Sequence, residues 1–172
     1  MLPSTSSLIK NKDKDTNGGN KINLDFRIFA LKKIVMYPEE IVKPMREELT
    51  LKGFKELLSP QDVDDILSKE GTTLVVVNSI CGCAAANARP GVIKSLSNEK
   101  IPDQLVTVFA GVDKEATDAA RSKMMPFPPS SPSIALFKDG ELIHMVERHH
   151  IEGRPADLIS QNLIGAYNQF CA

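Results

Sequence analysis

Two cysteines separated by one residue, Cys81-Gly82-Cys83, are the part of this chain that most needs a chemical explanation. Cysteine reacts as its thiolate, and two thiols this close can exchange with a disulfide, resolve a mixed disulfide, or hold a soft metal ion. The residues before them, Thr72 to Ile80, form a continuous β-branched run, the pattern of a central strand buried on both faces. The residues after them, Ala84 to Leu96, are Ala-rich and predict a helix that Pro90 kinks rather than ends. Cys81 therefore stands where a strand passes into a helix. The unsatisfied N–H groups and positive dipole end of that helix favour a thiolate there.

Residues two apart in a regular helix point about 200° away from each other, so two helical cysteines at this spacing cannot bond. The helix is accordingly expected to begin at or after Cys83, with Gly82 supplying the freedom to bring the sulfurs together. A disulfide across one intervening residue closes a tighter ring than a Cys-x-x-Cys pair and is expected to reduce easily. That suits exchange with disulfide substrates, or isomerisation, better than service as a strong reductant. An inert small-residue turn and a thiolate metal module are the other readings of the pair. Zinc wants four ligands and the motif supplies two, so Cys171, His149 and His150 would have to complete such a site, and no metal is expected.

The rest of the chain must position this pair. It has 172 residues, 42% of them hydrophobic, and three cysteines, which is enough for one ordinary core and too few cysteines for a disulfide framework. A formal net charge of -1 gives no general attraction for nucleic acid or anionic lipid, and no apolar run approaches a membrane span. Neither nucleic acid nor membrane is expected as a partner, and a reducing cytoplasm is the expected setting. The charge is uneven, with seven Lys and Arg against three Asp in residues 1–35. Residues 1–21 carry too few apolar side chains to offset the entropy of ordering. We therefore divide the chain into an N-terminal extension, 1–35, and a domain, 36–172, and expect a chain that begins at Met36 to fold and act fully.

Within the domain, Ile41, Met45 and Leu49 follow a helical period, and Ser59-Pro60 with Asp62 starts a second helix carrying Val63, Ile66 and Leu67. Leu105 to Ala110 reads as a buried strand, and Asp113 as the cap of a helix over Lys114 to Met124. After a Pro-rich loop, Ser133 to Phe137 and Glu141 to Val146 form a hairpin with Asp139-Gly140 at its turn. A last helix runs from about Pro155 to Phe170. The order predicts an α/β fold with a central mixed β-sheet flanked by helices, two of them N-terminal additions. Ligands of such sheets bind beyond the carboxyl ends of the parallel strands, where Cys81 falls.

Ser130-Ser131-Pro132-Ser133 enters a strand directly, which makes Ser131-Pro132 a candidate cis peptide. Together with the strand, the cysteine pair and the helix, SPSIALFKDGELI resembles the cis-proline hairpin of thioredoxin-like proteins. The resemblance tightens over Tyr37 to Cys171. VKPMREELT (42–50), EGTTLVVVNSICGCAAANARP (70–90), TVFAGVDKEAT (107–117), SSPSIALFKDGELIH (130–144) and RHHIEG (148–153) are similar to the bacilliredoxin family. This implies a thioredoxin-like fold and thiol-disulfide exchange, in particular removal of bacillithiol from S-thiolated cytoplasmic client proteins, with disulfide isomerisation as a neighbouring activity. It implies Cys81 as nucleophile, Cys83 as resolving thiol, and bacillithiol or another low-molecular-weight thiol as co-substrate with no bound cofactor. A disulfide reductase would recycle the site. An interaction domain that keeps the fold without catalysis is the contrasting reading.

Other residues are read more plainly. Asn78, three residues before Cys81, reads as a structural amide that could also reach the site. No Asp or Glu lies within Leu74 to Ile80, so the buried carboxylate that thioredoxins use in proton transfer has no counterpart. Arg89 reads as a solvated helix charge, His149 and His150 as a surface turn, and Cys171 as a mobile terminal thiol.

Overall fold

The computed structural model describes residues 37–172, so the expectation for residues 1–35 lies outside the described residues. Five strands form one mixed sheet in the order β1-β3-β2-β4-β5. They are β1 Lys55–Glu56, β2 Thr72–Asn78, β3 Gln104–Phe109, β4 Ser133–Lys138 and β5 Glu141–Val146. β1 and β2 run parallel to β3, while β4 runs antiparallel to both β2 and β5. The helices are α1 Glu39–Thr50, α2 Pro60–Leu67, α3 Gly82–Ser95, α4 Lys114–Ser122, the single turn α5 Arg148–Ile151, and α6 Ala156–Phe170.

The apolar run of β2 is explained by helices on both sheet faces. Leu74 and Val76 enter one core with Ala84, Ala88 and Val92 of α3 and Ile159 and Leu163 of α6. Val75 and Val77 enter the other with Val63 and Ile66 of α2 and Ala116 and Ala120 of α4. Successive strand residues point to opposite faces, so a strand covered on both sides has no polar alternation. At Gly91 a Cβ would stand 2.8 Å from Ile159 Cβ and 3.0 Å from the Ala156 carbonyl oxygen, so α3 and α6 approach closely only because that residue is glycine.

Local chemistry sets the joints. Ser59 and Asp62 form a reciprocal capping box with Pro60 in the first turn of α2. Asp139 and Gly140 take φ of 52° and 83°, the left-handed pair a two-residue hairpin needs. Asp113 occupies the N-cap of α4, but its side chain makes no capping bond. Its carboxylate instead pairs with Arg46 of α1 at 2.8 Å, and Arg46 also pairs with Glu56 and lies over the Phe109 ring. The ion pair ties α1 to the end of β3, which the local sequence around Asp113 does not reveal. Two elements went unread in the sequence: the two-residue β1 and the one-turn α5, both too short to show a period.

Candidate functional site

The site forms where β2 ends. Cys81 is the N-cap residue of α3, with φ of -62° and ψ of 103°, and its carbonyl accepts the first helical bond from Ala85 N–H at 2.9 Å. The helix thus begins at Gly82, one residue earlier than the spacing argument allowed. Cys81 lies outside regular helix, so the 200° separation does not apply to the pair. Its backbone N–H donates to Ser79 Oγ at 3.0 Å.

A charge from a distant segment completes the site. Arg148, the first residue of α5, donates from Nη2 to Cys81 Sγ at 3.0 Å and from Nη1 to the Ser131 carbonyl at 3.0 Å. Its backbone N–H also donates to Ser130 Oγ, and Glu152, one turn on, accepts from Nε and from the same Nη2 that faces Cys81. Glu152 and then Cys81 push the Arg148 pKa above its ordinary value, so the guanidinium is cationic at any working pH. The Ser131–Pro132 peptide bond is cis, and the Ser131 carbonyl beside it is the group Arg148 grips. Sequence reasoning considered His149 and His150 and missed Arg148, the residue immediately before them. Nothing in the local pattern marks which of three adjacent basic side chains turns inward.

Beneath Cys81 a buried polar network fixes the strand-to-helix turn. Arg89, expected as a solvated charge, is only 6% exposed. Its Nε donates to Glu48 at 2.7 Å, and Nη1 donates to Asn78 Oδ1 and to the Ser79 carbonyl. Asn78, 1% exposed, donates to the Met45 carbonyl and accepts from Ser79 N–H. The network therefore joins α1, β2 and α3 and acts on Cys81 through Ser79. Asn78 is thus a structural amide with a place in the site's support.

The remaining candidates separate from the site. Cys171 is buried against the start of β2, where burial pushes its thiol pKa up. Cys81 follows the other end of that strand, about 20 Å away at the rise of a β-strand. The expected mobile thiol is therefore a buried core residue, and it cannot complete a metal site with Cys81. Ligand atoms of Glu147, His149 and His150 lie within 4.8 Å of one another. Two of these groups already cap α5, the Glu147 side chain accepting from the His150 backbone and His150 Nδ1 accepting from Glu147 N–H. Among the described residues, no helix is long and apolar enough to cross a membrane.

A cysteine at a helix N-terminus beyond a parallel strand, faced by a loop with a cis proline, is the arrangement of a thiol redox protein of the thioredoxin fold. The thioredoxin-like domain of Arabidopsis NCP shares that fold, with a TM-score of 0.50 at 18% identity over 68% of this chain and 78% of that one. The Disulphide isomerase family matches residues 37–171. A bacilliredoxin of Cytophaga hutchinsonii is 58% identical over 78% of this chain and 99% of its own length. One of Halalkalibacterium halodurans is 54% identical over 78% of this chain and 94% of its own. The chain belongs to the bacilliredoxin family.

Proposed function

We propose that this protein removes a low-molecular-weight thiol, bacillithiol in the first instance, from mixed disulfides on cytoplasmic client proteins. The observation that carries the reading is the Cys81 sulfur at a helix N-terminus with a guanidinium 3.0 Å away. A cation and a helix dipole at one sulfur favour its anionic form, the nucleophile in thiol-disulfide exchange. In the first step the Cys81 thiolate attacks the small-thiol sulfur of the mixed disulfide. A Cys81–small-thiol disulfide forms, the client S–S bond breaks, and the client sulfur leaves as thiolate and takes a proton from water.

In the second step a thiolate attacks Cys81. If it is Cys83, an intramolecular disulfide forms and the small thiol leaves; a disulfide reductase then returns two electrons. If it is a second small thiol from solution, a small-molecule disulfide leaves and Cys81 is regenerated directly. Gly82 permits the close approach that the intramolecular route needs. The Ser131-Pro132 loop, joined to Cys81 through Arg148, is suited to receive the backbone of the client beside the reacting sulfur.

The family's description favours disulfide isomerisation as the second reading. The two separate in one assay, with an S-bacillithiolated client and a scrambled-disulfide protein offered to the wild type and to Cys81→Ser. Dethiolation requires release of bacillithiol by the wild type and none by the variant. Recovery of the scrambled protein without release of bacillithiol would establish the isomerase instead.

A further inference from the structure

A cavity of about 420 Å³ is lined by residues of β5 and α6, with His150 of α5 and Arg154. Its polar lining is His144, His150, Arg154 and Asn162, its floor includes Val146 and Ile159, and no carboxylate lines it. The redox chemistry uses none of these residues.

The hydrogen bonds already made determine what the cavity offers a ligand. Glu147 N–H donates to His150 Nδ1 at 3.2 Å, which places the proton of the neutral imidazole on Nε2. His144 Nε2 lies 2.8 Å from Asn162 Oδ1, so the ring donates, the carboxamide oxygen is engaged and the amide NH2 is left to donate. The Arg154 guanidinium has no side-chain partner among the described residues. His150 Nε2, Asn162 Nδ2 and the Arg154 fork are therefore three N–H donors converging over buried apolar carbon. Donors without a competing carboxylate select an acceptor-only anionic head, and the Val146 and Ile159 floor accommodates a hydrocarbon body.

We propose that this cavity is a second ligand site, for a small organic carboxylate with a short hydrocarbon chain. It shares no residue with the thiol site, although both depend on α5. On that single turn Arg148 reaches Cys81, and His150, about 200° further round the axis, lines the cavity.

The test titrates the full chain with sodium hexanoate, hexylammonium chloride and inorganic phosphate, following the side-chain NMR signals of His150 and Asn162. Hexanoate is expected to shift both signals saturably and hexylammonium to shift neither. Arg154→Gln should weaken hexanoate about fivefold or more while thiol exchange at Cys81 stays unchanged. No saturable response to hexanoate, an equal response to hexylammonium, or undiminished binding by Arg154→Gln would overturn the site. Phosphate binding as tight as hexanoate would overturn the ligand class, because the apolar floor would then contribute nothing.

Discussion

Arg148 and Cys81 are 67 residues apart in the chain and meet at 3.0 Å, guanidinium to sulfur. The contact makes the first turn after β5 part of the thiol site, and it holds the cis-proline loop in the same grip through the Ser131 carbonyl. A positive charge stands here where the sequence offered no buried carboxylate, so the site is organised to keep a sulfur anionic.

Replacing Arg148 by Gln should move the Cys81 thiol titration, followed by ultraviolet absorbance, to higher pH by roughly one unit. Because Glu152 and Cys81 both raise the Arg148 pKa, the guanidinium does not titrate near neutrality, and the pH response of exchange is that of the thiol. Thiolate is present above the thiol pKa and lost below it, so the variant should be slower by up to about tenfold below its thiol pKa and recover at alkaline pH. A titration unchanged from wild type would show that the contact does not act on the thiolate.

Arg89 should matter for stability. Arg89→Met takes the guanidinium from Glu48 and the Ser79 carbonyl, leaves Asn78 Oδ1 with only the Ser79 N–H, and should cost about 2–4 kcal/mol in urea unfolding. Arg89→Lys keeps the charge without the fork and should recover part of the loss.

These two arginines show what the sequence could reveal and what it could not. The double-sided core of β2 was legible because no distant context was needed: a run of Thr, Leu and Val without alternation has one explanation in an α/β layout. The capping box at Ser59 and Asp62 and the Asp139-Gly140 turn were legible for the same reason, since each is complete within four residues. Arg89 was not, because its partners come from α1 and β2, and burial of a cation follows only from their convergence. Arg148 was hidden among basic neighbours in a one-turn helix. Cys171 was misread because nearness to the chain end says nothing of the core that α6 carries it into.

Gly91→Ala tests the packing of the helix that carries the cysteines. A methyl group there meets Ile159 Cβ at 2.8 Å and the Ala156 carbonyl at 3.0 Å, so α3 and α6 must separate. The variant should lose about 1–3 kcal/mol in chemical denaturation, although alanine is the better helix former in isolation.

Asp103 governs part of the acid response. Backbone and hydroxyl bonds from Thr72, both 2.7 Å, hold its carboxyl below the ordinary pKa in the folded state. A depressed folded pKa contributes stability that is present above the unfolded value, near pH 4, and lost as the pH falls through the folded one. Asp103→Asn should therefore lower stability at neutral pH and flatten its decline below about pH 4, as read from urea midpoints across the acid range.

The central claim is that Cys81 takes the small thiol from a client protein. Intact-mass measurement of Cys83→Ala after mixing with a bacillithiolated client tests it most directly, because the trapped disulfide then has no intramolecular resolving thiol. The account predicts that the protein gains one bacillithiol, that peptide mapping places it on Cys81, and that the client appears as its reduced mass. A protein whose mass is unchanged while the client keeps its bacillithiol would contradict it.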